Sequence, residues 1–398
     1  MNIGLFTETY YPEINGVANS VYMLKNELER AGHNVYVFTT TTPGAPEHEY
    51  NVFRVPSLPC ILISERRVGM FYQLKLAHII RRLDLDIIHT HTEFSLGVFG
   101  RIMARELKIP VVHTYHTIYE DYTHYVNKIH LASVDERAKA FVRMFTKICC
   151  NTVEQVVVPT KKVEELLMSY RVVKDIEIIP TGVDLSKFDE NNYTKQELLE
   201  KRKSFGILPE EKVILYLGRV SSEKNIAELL AAMPEYMERH TDVKFLLVGD
   251  GPERERLEKQ VSSYSCKERI LFAGQQSWDT VPAFYQLADV FVSASNSETQ
   301  GLTYIEAMAS GLPVVAREDP CLEDILIPGV NGFTFTKQEE FLKGLDSVLY
   351  EAVEEKQYGR QARQMVQKYS TCAFAERMEE TYRKLSNYQR QGSALPID

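Results

Sequence analysis

The feature that most restricts this chain is an alternation that runs, stops and begins again. Short β-branched runs (Asn2–Thr7, Asn34–Thr39, Asp86–Thr90, Pro110–Thr114, Gln155–Pro159, Ile176–Pro180) are separated by helical patterns such as Val21–Arg30, where Val21, Leu24 and Leu28 share one face. Strands with helices between them need right-handed crossovers, which produce parallel sheets covered on both faces. After a polar stretch from Asp189 to Ser204 the pattern resumes, with Lys212–Leu217, Val243–Val248, Arg269–Phe272, Asp289–Val292 and Pro313–Ala316. The expected fold class is therefore α/β, two doubly wound Rossmann-like domains with a boundary near 181–205. Ligands of such sheets lie beyond the carboxyl ends of the strands, so a cleft across which the two domains face each other is the expected active site.

Composition removes several alternatives. With 398 residues, 44% hydrophobic and 25% charged, each domain can bury a core, and wholesale disorder is excluded. No run of about 18 uncharged apolar residues occurs, so no bilayer span is expected. The start, Met-Asn-Ile-Gly-Leu-Phe-Thr-Glu8, reads as a first strand rather than a signal peptide. Six cysteines without a Cys-x-x-Cys pair point to a reducing, cytoplasmic setting. The net charge of -9 argues against nucleic acid as a partner. That charge is uneven. Residues 1–185 carry 20 Lys+Arg against 21 Asp+Glu, while the remainder carries 26 against 34, so only the first half is free to approach an anionic surface.

Three junctions between strand and helix carry candidate chemistry. Gly16, at the mouth of the first helix, lets backbone N–H groups approach a phosphate, although an ordinary turn glycine accounts for it equally. The Gly-x-Gly-x-x-Gly fingerprint is missing there, which disfavours a nicotinamide enzyme. Arg219, just past a strand, and Lys224, at the next helix, can grip a diphosphate as a fork and a point charge, stabilising a departing phosphate without a metal. Surface pairing with Glu223 or Glu228 is the alternative. The run Ser295 to Pro313 holds Glu298 in a loop and Glu306 about a turn inside a helix, bracketing Gly301. One carboxylate can accept sugar hydroxyls and the other ribose hydroxyls, with N–H groups near Gly301 toward a phosphate. A capped helix with solvated acids would look the same.

His89, His91, His113 and His116 lie close in sequence, but strand-end histidines are readily satisfied by hydrogen bonds, and no metal is expected. His116 follows a strand and so points at the crevice. No Gly-x-Ser-x-Gly elbow is present, which disfavours an α/β hydrolase. Residues 60–83 place Met70, Phe71, Leu74, Ala77 and Ile80 at helical spacing beside Arg66, Arg67, Lys75, Arg81 and Arg82. Such a segment either docks on an anionic bilayer or is a core-facing helix with a solvated basic face.

Taken together, Asn15-Gly16-Val17, Thr181-Gly182-Val183-Asp184, Gly218-Arg219 with Lys224, Val248-Gly249-Asp250-Gly251-Pro252 and Glu298 through Pro313 resemble the retaining glycosyltransferases of the GT-B fold. Within that family, His91-Thr-Glu-Phe-Ser-Leu-Gly, the stretch His116 to Tyr125, and Glu298-Thr-Gln-Gly-Leu-Thr-Tyr are similar to the bacterial 1,2-diacylglycerol 3-α-glucosyltransferases. The wider family more often has Phe-Gly where this chain has Gln300-Gly301. The resemblance implies an N-terminal acceptor- and membrane-facing domain over 1–185 and a nucleotide-sugar domain over 186–375. It also implies a C-terminal helix and tail, 376–398, that crosses back to the first domain. Arg219 and Lys224 would hold the donor diphosphate, Glu306 the ribose, and Glu298 with His116 the transferred sugar. Gly274, Gln275 and Gln276 would face the nucleobase. Gly16, Asp250, Gln300, Gly301, Leu302 and Thr303 complete the implied donor site. Arg66, Arg67, Phe71, Lys75, Arg81 and Arg82 form the expected membrane contact. The implied reaction moves glucose from UDP-glucose to diacylglycerol at the inner face of the membrane, an anionic phospholipid surface. No cofactor is obligatory, and Mg2+ is admitted only as a stimulator. The alternative acceptor is a small sugar or thiol in solution.

Overall fold

The computed structural model describes residues 1–13, 15–59, 67–69, 73–122, 132–351 and 355–392. The chain divides into two compact units, Met1–Gly182 with Thr371–Asp398, and Val183–Ser370. The expected boundaries stand at 185/186 and 375/376, a few residues later.

The first unit is built on β1 (Asn2–Phe6), β2 (Asn34–Thr40), β3 (Val52–Val55), β6 (Ile87–Thr90), β7 (Val111–Thr114), β8 (Gln155–Val158) and β9 (Ile176–Ile178), in the order β3-β2-β1-β6-β7-β8-β9. Every pairing is parallel. β6 and β7 are buried at each residue, as strands covered on both faces must be. Buried Val21, Leu24 and Leu28 of the helix Gly16–Arg30 form one cluster with Phe374, Met378 and Tyr382 of the last helix, Thr371–Gly392. The chain's final helix thus belongs to the core of its first unit.

The second unit holds β10 (Lys212–Leu217), β11 (Val243–Val248), β12 (Ile270–Gly274), β13 (Val290–Ser293), β14 (Val314–Arg317) and β15 (Gly332–Phe335), ordered β12-β11-β10-β13-β14-β15 and again parallel. Its first and last residues are tied together, since Val183 N donates to Tyr369 O at 2.8 Å.

The strand runs read from sequence recur within one or two residues. β3 and β15 have no counterpart among them, because Arg54 interrupts one and Gly332 opens the other. The larger difference lies in 60–83. Described there are an antiparallel ribbon of β4 (Ser57–Pro59) and β5 (Arg67–Gly69), and a helix limited to Leu74–Ile80. Ala77 and Ile80 are buried in the core, while Leu74 is 77% exposed. The long amphipathic helix expected over this segment is therefore corrected: Arg67 begins a strand, and two residues of the apolar stripe are spent on the interior.

Candidate active site

In each sheet the strand order reverses once, between β1 and β6 and between β10 and β13, and loops leaving such a pair diverge to leave a crevice at the carboxyl ends. The residues at these two points decide what can bind.

In the second unit three strand ends are laced together by backbone bonds. Gly218 N donates to Val248 O at 3.0 Å, Val220 N to Asp250 O at 2.9 Å, and Gly249 N to Gly274 O at 2.9 Å. The approach is so close that a Cβ on Gly249 would stand 1.8 Å from the Gly218 carbonyl oxygen. The Gly249-Asp250-Gly251 motif is thereby explained by packing. Asp250 is engaged within its own loop, accepting from Gly251 N at 2.7 Å and pairing with Arg254 at 3.0 Å. Gln275 is exposed, and Gln276 donates to the Ala273 carbonyl at 2.8 Å. Asn225, at φ +50°, opens the helix Ile226–Arg239 and donates to Ala294 O at 3.2 Å, fastening that helix to the end of β13.

The fastening matters because Lys224 precedes it and Glu298 follows β13. Lys224 Nζ lies 2.5 Å from Glu298 Oε1, with both side chains mostly buried (19% and 17% exposed). Of the acids first considered as surface partners, Glu228 pairs with Arg317. Glu223 is held ionised: burial opposes its charge, but the Ser221 hydroxyl at 2.6 Å and the Lys224 and Arg219 cations outweigh it. Arg219 is half-buried beside this group, its carbonyl accepting from the Tyr216 hydroxyl at 3.0 Å. Burial, then the Glu298 charge, pushes the phenols of Tyr216 and Tyr304 well up, so both stay neutral donors.

Gly301 adopts φ +73° as it opens the helix Leu302–Ala309, and no side chain caps that end. A Cβ there would lie 2.2 Å from the Tyr304 ring. Gln300 is buried, and Leu302 and Thr303 are half-buried in the first turn. Glu306 follows on that helix. Burial pushes its carboxyl up to about 7, against the lowering effect of the Tyr285 hydroxyl, which donates to it at 2.9 Å. Near neutral pH this acid is poised between donor and acceptor forms.

The first unit offers a different chemistry. After β1, Asn15 caps the helix that Gly16 begins, its side chain accepting from Ala18 N at 2.9 Å and donating to Thr9 at 2.7 Å. Glu8 is buried and accepts from Leu96 N at 2.5 Å and Ser95 at 3.1 Å. His89 lies between the Tyr382 hydroxyl at 2.6 Å and the Thr114 hydroxyl at 2.7 Å. His91 Nδ1 meets His116 Nε2 at 3.1 Å, and the two rings stack at 5.4 Å. Burial, reinforced by neighbouring imidazoles, holds His89 and His91 well below the usual histidine range, so both are neutral. His113 bonds Thr90 and stands 3.4 Å from Glu93, whose other oxygen accepts from Tyr119. Among the described residues no three His, Cys, Asp or Glu side chains are grouped to hold a metal ion.

The structure thus brings Lys224 and Glu298 into contact, sets Glu306 on Tyr285, and leaves Asp250 and Gln276 bonded to their own loops. Glu8, Asn225, Tyr285 and the pairing role of His91 have no expected place in the sequence reading. Glu8 had a signal, being an acid directly after a buried run. Of the expected membrane contacts, Lys75, Arg81 and Arg82 are exposed, with Arg81 paired to Glu106 at 2.5 Å. Arg66 and Phe71 lie outside the described residues, as does the side chain of Arg67.

Comparison with known proteins agrees with this division. Residues 14–187 match the family model for Glycosyltransferase Family 4, and residues 199–365 that for Glycosyl transferases group 1. The chain is 42% identical over 327 residues to the alpha-monoglucosyldiacylglycerol synthase of Streptococcus pneumoniae, covering 82% of this chain and 73% of that one. It is 36% identical over 352 residues to the enzyme of the same name from Acholeplasma laidlawii, covering 87% of each. Among solved structures, Anabaena HepE in complex with UDP and glucose superposes with a TM-score of 0.76 at 18% identity, over 97% of this chain and 100% of that one. The chain therefore belongs to the retaining glycosyltransferases of the GT-B fold, closely related to the bacterial alpha-monoglucosyldiacylglycerol synthases.

Proposed function

We propose that this glycosyltransferase moves glucose from UDP-glucose to the 3-hydroxyl of 1,2-diacylglycerol, forming alpha-monoglucosyldiacylglycerol at the inner, cytoplasmic face of a membrane. The observation that carries the donor half is the Lys224–Glu298 contact at the second unit's strand-order reversal, with Arg219 beside it. A cation and an acid in one partly buried pair can divide their work when a donor arrives. Lys224 and Arg219 turn to the diphosphate, Glu298 accepts from sugar hydroxyls, and Glu306 accepts from the ribose in its ionised form. The bond between the anomeric carbon and the diphosphate oxygen breaks as the bond to the acceptor oxygen forms on the same face. The acceptor proton passes to the departing phosphate, so the configuration is kept and UDP leaves. Gly16, Gly274, Gln275, Gln300, Gly301, Leu302 and Thr303 are assigned to contacts with the donor, and His116, steadied by His91, to the transferred sugar.

The acceptor half rests on the two synthase relatives and on the exposed cations Lys75 and Arg82 of the first unit. No described helix is long and apolar enough to cross a membrane, so contact with lipid falls to surface side chains. The test is transfer from radiolabelled UDP-glucose to diacylglycerol in mixed micelles, with and without anionic phospholipid. A glycolipid product that rises with anionic lipid is expected. Donor turnover that yields only products of soluble sugars or thiols would reject the lipid acceptor and keep the transferase.

A further inference from the structure

The outer face of the helix Ala132–Asn151 carries a feature that the transfer chemistry does not use. Phe141, Met144 and Ile148 are 61%, 54% and 54% exposed. Their spacing puts them in one row along the helix. Among the described residues no other helix leaves three large apolar side chains this open. The row is built on a firm base. Phe141 stacks on Phe145 at 6.2 Å, Phe145 on Phe94 at 6.1 Å, and Phe94 meets the Tyr119 ring edge-on at 5.7 Å. Arg143 grips Glu120 through two bonds of 2.6 and 3.1 Å, fixing the helix to the turn that follows His116.

Charge identifies the occupant. Lys139 and Arg143 are paired with Glu136 and Glu120, Arg137 and Lys147 add two further cations, and no acid lies between Arg137 and Asn151, in a chain whose net charge is -9. A second copy docking face to face would set these cations against their own counterparts. A surface of negative headgroups over acyl chains complements both the cations and the apolar row.

We propose that this helix face docks the protein on an anionic phospholipid bilayer, with Phe141, Met144 and Ile148 entering the acyl boundary and Arg137 and Lys147 lying at the headgroups. The proposal rests on the diacylglycerol reading and names the surface through which such an acceptor is reached.

The experiment is co-sedimentation of the full chain with vesicles of phosphatidylcholine alone and of phosphatidylcholine with about one third phosphatidylglycerol. One variant carries Phe141→Ser, Met144→Ser and Ile148→Ser; another carries Arg137→Gln and Lys147→Gln. All five side chains lie outside the transfer machinery, and thermal melting of each variant is expected to match the parent. On anionic vesicles the apolar variant should bind at least about tenfold more weakly, and the cation variant severalfold more weakly. Parental binding by both variants would overturn the proposal. So would a parental dimer that the serine variant converts to monomer without a change in vesicle binding, a result that assigns the face to a second copy. Transfer to short-chain diacylglycerol in detergent separates the two ideas. Lost vesicle binding with no transfer by any protein supports the docking face and rejects the acceptor. Normal transfer with vesicle binding insensitive to both variants rejects the docking face alone.

Discussion

The two strand-order reversals share a topology and differ in charge. Beyond β10 and β13 stand Arg219, Lys224, Glu298 and Glu306, in the half of the chain that carries most of the net negative charge. Beyond β6, at the first unit's reversal between β1 and β6, stands His91, with His116 beyond the neighbouring β7 and His89 and His113 on the strands themselves, in the half that is nearly neutral. In the second unit cations are paired with acids, a store of charge that a diphosphate can redistribute. In the first, burial keeps His89 and His91 neutral, so His89 exchanges hydrogen bonds with the Tyr382 and Thr114 hydroxyls and His91 with the His116 ring. A parallel sheet supplies a place to bind, and the side chains beyond its strands select between a charged donor and a hydroxylic ligand.

The largest effects fall on the charged site. Arg219→Ala and Lys224→Ala should each lower transfer by about two to three orders of magnitude, because each removes a stabiliser of the departing diphosphate. Steady-state kinetics on both variants decides it, and near-parental turnover would remove the distinction between the sites. Gly301→Ala comes next. Its φ of +73° and the Tyr304 ring 2.2 Å from a Cβ mean that the loop must shift. A loss of stability of about 1–3 kcal/mol is expected, with donor affinity falling as the first helical turn moves.

The smaller effect concerns pH. Glu306 is raised to about 7 in the folded chain, above its unfolded value. Its contribution is therefore nil well below pH 4.5, becomes a cost that grows as pH rises from about 4.5 to about 7, and levels off above that. Glu306→Gln should stabilise the second unit by roughly 2–3 kcal/mol at pH 8, falling to about 1 kcal/mol or less near pH 5, while weakening ribose binding. The single tryptophan, Trp278, lies in this unit and reports urea unfolding. The buried histidines act in the opposite sense. Because His89 and His91 are depressed in the folded chain, stability in the first unit is intact above about pH 6.5 and is lost as pH falls below it.

Much of the frame was legible because β-branched runs and helical spacing are local properties. β10 and β11 are found at the residues read from sequence, and Glu298, Gly301 and Glu306 stand at the expected loop and helix. What escaped depends on long-range contact. Nothing near Lys224 names Glu298 as its partner 74 residues away, nor Glu306 as the acceptor for Tyr285. The segment at 60–83 left two readings open for the same reason. Helical spacing of Ala77 and Ile80 is equally the mark of a core face, and only the neighbouring elements decide which way it turns. The row at Phe141 has the same periodicity and stays open because nothing among the described residues covers it.

The most direct test is calorimetric binding of UDP to the parent chain, Lys224→Ala and His116→Ala. If the charged reversal holds the diphosphate, Lys224→Ala should weaken UDP binding by at least about tenfold, and His116→Ala should leave it within about twofold while transfer falls. Equal losses in the two variants, or a loss confined to His116→Ala, would contradict the division of labour between the two units.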